Sequence, residues 1–290
     1  AGAGAGGACA GERALDALGL PCWEEAGLPA AAPGGGGGGS PLGLAGVRRL
    51  LGALGHPERR LAGGVHVVGS KGKGSVAALI AGALGAAGRP AQRALAVPHV
   101  RAQDLRGVDW GALRQAGARA CVFDKDNTLT DPYALELRPE VAGAFAECLA
   151  AFGAGNVALV SNSAGLAEYD PRGEEAARVE RELGCPVLRH SRKKPEGEPD
   201  ALREHFGCET GDMVMVGDRF LTDVMYGNRM GMLTVKVEAF TGSGERATVR
   251  AARWAESRLV GFWMGSLSTC PPEHAFMSHP AAKDGFLKKY

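Results

Sequence analysis

Short apolar runs that stop abruptly in polar residues organise the second half of the chain. Cys121-Val122-Phe123 runs into Asp124-Lys125-Asp126-Asn127-Thr128, and Val157 to Val160 runs into Ser161-Asn162-Ser163. Pro186-Val187-Leu188 leads to Arg189, His190, Arg192, Lys193 and Lys194, and Met213 to Val216 leads to Gly217-Asp218-Arg219 and then Asp223. Unbroken aliphatic runs of this length are the pattern of strands buried on both faces. Leu233 to Val237 predicts a last strand. Between the runs the period changes to that of helices. Pro139 opens one helix with Val141, Phe145, Cys148, Leu149 and Phe152 on one face, and Gly153 and Gly155 end it. Further helices are predicted from Glu174 to Leu183 and from Pro199 to Phe206. Upstream, Leu95 to Val100 leads into a short helix with Asp109 as its N-cap and a stop near Gly117. Strand and helix in alternation predict an α/β fold with a mostly parallel sheet covered by helices on both faces and right-handed crossovers. Parallel strands bring their carboxyl ends to one edge, so the polar stops should converge in one crevice.

Composition divides the chain more sharply than its length does. Gly34 to Gly39, after Ala30-Ala31-Ala32-Pro33, is low-complexity sequence that buries too little apolar surface to offset its ordering entropy, so residues 1–41 are expected to be disordered. The first residues are poor in Ser and Arg and carry Glu12, Asp16, Glu24 and Glu25, which is unlike a transit peptide. A formal net charge of +1 argues against a general nucleic-acid binder. The seven cysteines are scattered without a Cys-x-x-Cys pair, so neither a disulfide framework nor a zinc site is expected. Cys121 reads as a small core residue, and His99 and His190 have no evident ligand partners. No apolar run is long enough to cross a bilayer.

Residues 42–94 carry a second signal. Val65-His66-Val67-Val68 precedes Gly69-Ser70-Lys71-Gly72-Lys73-Gly74-Ser75 and a helix of small residues. Strand, glycine loop with lysine, then helix is an arrangement that cradles phosphates on backbone N–H groups. The segment resembles the ATP loop of folylpolyglutamate synthases, with Gly69, Gly72, Lys73 and Ser75 on the loop positions. The central sheet and metal-binding residues of such a ligase do not follow. The segment is therefore read as an incomplete fragment, and a working nucleotide-binding module is the alternative of another class.

The crevice holds the parts that phosphoryl transfer needs: a nucleophile, a cation to shield charge, and donors around the equatorial oxygens. Asp124 would attack phosphorus. Magnesium would be held by Asp124, Asp218 and the backbone carbonyl of Asp126, with Asp223 ordering its water shell or anchoring the loop. Asp126 would serve as general acid and then base. Ser161 and Asn162 would donate to phosphoryl oxygens, and Lys194 would add positive charge beside the nucleophile. Arg219 and Arg229 would steer phosphate or pair with Asp223 and other carboxylates. Lys193, with its basic neighbours Arg189, His190 and Arg192, would attract anionic head groups or form a solvated loop. A calcium loop fits poorly, because Leu129 and Leu135 stand where it needs glycine and glutamate.

These motifs resemble those of the haloacid dehalogenase superfamily: Asp124-x-Asp126-x-Thr128, Ser161-Asn162, Lys194-Pro195 and Gly217-Asp218 with Asp223. The longer runs Phe123 to Thr130, Ser161 to Gly165, Lys193 to Gly197 and Val216 to Gly231 resemble the phosphatidylglycerophosphate phosphatases of mitochondria, plastids and some bacteria, over about Leu95 to Val237. The resemblance implies a Rossmann-like superfamily domain over 95–240 and magnesium-dependent removal of the terminal phosphate of phosphatidylglycerophosphate. It also implies a peripheral place at an anionic inner membrane of a mitochondrion or chloroplast. The alternative within enzymes is a phosphatase for a soluble or protein phosphomonoester. The interval from Asp124 to Ser161 is too short for a folded cap domain. In the tail, 241–290, Val249, Ala252, Trp254, Leu259, Phe262 and Trp263 alternate with Arg246, Arg250, Arg253 and Arg258. They predict an amphipathic helix that docks on the domain or lies in a membrane interface.

Overall fold

In strand β2 (Ala120–Phe123) every position is buried, because its two faces feed two separate cores. Cys121 and Phe123 pack in a core with Val157, Leu159, Val214 and Val216. Ala120 and Val122 pack in another with Ala158, Met213 and Met215. This side-to-side alternation is why the strands read as unbroken apolar runs rather than as alternating ones. The computed structural model describes residues 90–197, 199–240, 245 and 247–288. Gly69, Gly72, Lys73 and Ser75, and the disorder expected of residues 1–41, lie outside the described residues.

Five strands form the sheet: β1 (Val100–Ala102), β2, β3 (Val157–Leu159), β4 (Met213–Gly217) and β5 (Leu233–Val237). All neighbours are parallel, in the order β1-β5-β4-β2-β3. After β3, at one edge, the chain returns across β2 to form β4 on its other side. The carboxyl end of β2 is thus the point where strand order reverses, where open α/β sheets bind ligands. The predicted strand at Pro186–Leu188 is reduced to a bridge between Leu159 and Val187. The stretch from Leu95 contributes strand only from Val100.

Helix α1 (Pro90–Ala94) precedes the sheet. In α2 (Trp110–Gln115) Asp109 is the N-cap, its carboxylate accepting from the Ala112 N–H at 2.8 Å. Pro139 opens α3 (Pro139–Phe152), which buries Val141, Phe145, Cys148 and Phe152 against the first core. Helix α4 (Glu174–Leu183) lies between two glycines in left-handed conformation, Gly173 and Gly184. Helix α5 (Asp200–Phe206) packs Leu202 and Phe206 against the second core. A five-residue π-helical turn, Phe220–Val224, leads directly into α6 (Met225–Arg229). Gly227 lets α6 approach the sheet closely, since a Cβ there would lie 2.6 Å from Thr234 Cγ2 and 2.7 Å from Met215 Cβ.

The tail belongs to the same body. Helix α7 (Ala247–Gly265) buries Ala252, Val260 and Trp263, while Trp254 and Phe262 stay exposed. It docks on the domain, the first of the two placements its pattern allows. Beyond it, Phe276 and Phe286 enter the first core, and Leu287 bridges antiparallel to Val108. Among the described residues no helix is long and apolar enough to cross a membrane.

His99 joins β5 to this tail. Its Nδ1 lies 2.8 Å from Thr234 Oγ1 and its Nε2 2.9 Å from the Pro272 carbonyl. Burial, with His274 beside it, pulls its pKa from 6.5 down to about 4. Between those values the unfolded chain binds a proton that the folded protein excludes, so the stability contributed by neutral His99 is complete above pH 6.5 and declines as pH falls toward 4. The thermal midpoint is expected to fall over this interval, and to fall less steeply in His99→Gln, as scanning calorimetry across pH would measure.

Candidate active site

The ladder of the sheet runs straight into the site. The Asp124 N–H donates to the Val216 carbonyl at 2.9 Å, and the Val160 N–H donates to Phe123 at 2.9 Å. Asp124 therefore leaves β2 in register with the end of β4, where Asp218 stands. The carboxylates of Asp124, Asp218 and Asp223 each offer an oxygen within 4.8 Å of the others. Asp218 and Asp223 are buried, and Asp124 is half-buried. An all-oxygen acidic donor set suits a hard divalent cation such as magnesium, so these residues fit the expected metal. The Asp126 carboxylate lies outside the cluster.

Lys194 ties the cluster together. Its buried ammonium lies 2.6 Å from Asp124 Oδ1 and 2.7 Å from Asp223 Oδ1. Burial opposes its charge, but the two carboxylates prevail and hold its pKa above the ordinary lysine value. Asp223 Oδ2 accepts from the Arg219 N–H at 3.0 Å. Burial, supported by Asp124, pushes Asp223 up to about 6 against the opposing pull of Lys194. Gly217 makes room for this arrangement, since a Cβ there would lie 2.4 Å from Asp223 Cβ. The peptide bond between Lys194 and Pro195 is cis.

Asp126 is the neighbouring, more accessible acid. Its Oδ1 accepts from Lys125 Nζ at 2.5 Å and from the Tyr133 N–H at 2.9 Å. Lys125 is itself buried and also donates to the Ala134 carbonyl at 2.8 Å, which fixes the loop after β2. Asn127, at φ 62°, donates its side-chain N–H to Glu245 at 2.6 Å. Ser161 Oγ lies at the end of β3, 3.1 Å from Ser163 Oγ.

Three expected substrate contacts are placed differently. Asn162 is committed to the backbone of Lys194, with Oδ1 accepting its N–H at 2.7 Å and Nδ2 facing its carbonyl at 3.4 Å. It positions the lysine. Lys193 turns away to Glu168 at 2.9 Å and the Tyr169 hydroxyl at 2.7 Å, in the solvated alternative. The Arg219 guanidinium pairs with buried Glu256 of α7, so it takes the carboxylate-pairing alternative, with a partner that local pattern did not indicate. Arg189 likewise pairs with Glu180. Cys121 is buried beside Cys148 and its thiol is pushed up, as a core residue's would be. His190 Nδ1 lies 3.1 Å from the Leu188 carbonyl, and the residue is not among the clustered metal-ligating groups.

Two contributions were missed. Lys125 carries no sequence signal beyond its place between the two acids. Arg253 of α7 pairs with Asp218 and with Glu245. It was read only as one of several basic residues on an amphipathic helix, and no local signal distinguishes it from Arg250 or Arg258.

The arrangement gathers three carboxylates and a buried ammonium at one sheet edge. A family profile described as "Mitochondrial PGP phosphatase" matches residues 84–240. The chain is 52% identical over 187 residues to Phosphatidylglycerophosphate phosphatase 1, chloroplastic, of Chlamydomonas reinhardtii, covering 64% of this chain and 69% of that protein. It is 43% identical over 186 residues to Phosphatidylglycerophosphate phosphatase 1, chloroplastic/mitochondrial, of Arabidopsis thaliana, covering 64% of this chain and 53% of that one. Against the mitochondrial phosphatidylglycerophosphatase of Saccharomyces cerevisiae the identity is 32% over 148 residues, covering 50% of this chain and 77% of the relative. The chain belongs to the mitochondrial PGP phosphatase family.

Proposed function

We propose that this protein removes the terminal phosphate of phosphatidylglycerophosphate, releasing phosphatidylglycerol, by way of a covalent aspartyl-phosphate. Membership of the family makes it a phosphoric monoester hydrolase, and relatives named for chloroplasts and mitochondria support an organellar location. The observation that carries the mechanism is the gathering of Asp124, Asp218 and Asp223 around the strand end, with Lys194 bound to two of them.

Asp124 is the nucleophile. Lys194 aims its carboxylate through a hydrogen bond at 2.6 Å and draws in the phosphoryl group by charge. Asp126, hydrogen-bonded through one oxygen to Lys125 and the Tyr133 N–H, protonates the departing glycerol oxygen and later takes a proton from the hydrolytic water. Ser161 donates to a phosphoryl oxygen. Asn162 holds Lys194 through its backbone. Magnesium on the three carboxylates would supply charge neutralisation at the phosphoryl oxygens. The interval before Ser161 holds α3 and a short 3-10 turn and no cap domain, which supports access for a bulky lipid head group. On α7 the exposed Trp254, with Arg258 5.7 Å from its ring centre, and exposed Phe262 support contact with an anionic lipid surface.

Replacing Asp124 by Asn is expected to lower phosphate release by at least ~10³-fold. The circular dichroism spectrum should stay unchanged, and substantial turnover by this variant would refute the assigned nucleophile. EDTA is expected to abolish hydrolysis and added magnesium to restore it, measured by phosphate release. Phosphatidylglycerophosphate in mixed micelles should be hydrolysed in preference to a panel of water-soluble phosphomonoesters, by kcat/KM. Equal or higher values for a soluble ester would favour the alternative substrate class.

A further inference from the structure

Helix α7 lies beyond the span that the family profile matches, yet it places a guanidinium at the centre of the site. Arg253 pairs with Asp218, one of the three clustered carboxylates, and on its other side with Glu245. Its side chain is 20% exposed, so it remains accessible from outside, and its Nε is buried without a hydrogen-bond partner. One turn further along the helix, Glu256 is buried against Arg219, the residue that follows Asp218. Two ion pairs of opposite direction, acid to base and base to acid, therefore fasten α7 to the loop after β4. Glu256 sets the register of the helix, and that register brings Arg253 onto Asp218.

A guanidinium in this position is more than a clamp. Asp218 is shared between it and the proposed cation site, and a single carboxylate cannot neutralise a divalent cation and a guanidinium together. A phosphoryl dianion supplies that counter-charge, and the planar fork of arginine matches phosphate oxygens two at a time. We infer that Arg253 is a substrate-binding residue that donates to the phosphoryl group opposite Lys194, carried into the site by α7. This rests on the phosphatase reading above. It makes the tail helix part of the active site, and Glu256 with Arg219 the pair that positions it.

Titration calorimetry of inorganic phosphate into the full chain in the presence of magnesium tests the assignment without any lipid or turnover. Arg253→Gln is expected to weaken phosphate binding by about tenfold or more, with magnesium affinity, titrated alone, unchanged or tighter. Arg253→Lys should recover part of the loss, because charge is kept and the fork is not. It also serves where the Gln variant does not fold. Phosphate affinity within about twofold of wild type in either folded variant would overturn the inference and reduce Arg253 to a fastening for α7. Weakened magnesium binding that accounts for the whole phosphate effect would overturn it as well. The phosphatase reading fails separately, if the wild-type chain binds phosphate but hydrolyses neither phosphatidylglycerophosphate nor any soluble monoester.

Discussion

A single buried ammonium sets the terms for everything at the edge of the sheet. Three carboxylates brought within 4.8 Å of one another and withdrawn from water would repel strongly. Lys194 makes the arrangement possible by contacting two of them at 2.6 and 2.7 Å. Removing one partner of such a buried pair typically costs about 3–5 kcal/mol, because the other is left charged and unpaired. The surroundings are correspondingly constrained. Asn162 holds the lysine's backbone, and Gly217 leaves the space that Asp223 fills. Even so the carboxylates outnumber the ammonium, and burial keeps Asp223 at about 6. The negative charge that Lys194 leaves unbalanced is what a divalent cation would neutralise.

The sheet itself places Asp124 and Asp218, and the segments that follow its strands place the rest. Strand order reverses at β2, so the ends of β2 and β4 lie side by side, and Asp124 stands in register with the end of β4. The π-helical turn Phe220–Val224 then carries Asp223 back toward Lys194. A wide turn at this point follows the common placement of such turns at functional sites. Helix α6 continues directly from it and is pressed onto the sheet at Gly227, so the turn is anchored at both ends.

What could be read from the sequence was what local pattern encodes. Buried strands and their polar stops, the cap at Asp109 and the entry at Pro139 are signals within a few residues. Their convergence followed from parallel topology alone. Pairings across long stretches of chain left no such trace. Arg219 carries the same charge whether it meets phosphate or Glu256, which is 37 residues away. Arg253 and Asp218 are 35 residues apart and lie on elements predicted for unrelated reasons. Asn162 sits where a donor to phosphate was expected, and only the three-dimensional path of the Lys194 backbone reveals its other task. Phe276 and Phe286 were unreadable for a different reason. Each is a lone aromatic in an aperiodic segment, and nothing in such a segment marks the face that turns inward.

The tail's place in the core changes how the site should be understood. In a fold with no cap domain between its motifs, the crevice needs some other wall to limit water and fix the approach of the phosphate. Helix α7 meets that need from outside the motif-bearing segment. Its buried face, Ala252, Glu256, Val260 and Trp263, binds it to the domain, and its flank brings Arg253 to Asp218. Its outward face carries Trp254 and Phe262. One helix thus carries both the guanidinium that meets the acid cluster and an exposed aromatic face. Sequence pattern posed docking and interfacial contact as alternatives because a helix has one moment but several faces. On this 19-residue helix the inner face takes the docked placement while the outer face keeps its aromatic residues exposed, so the one does not exclude the other.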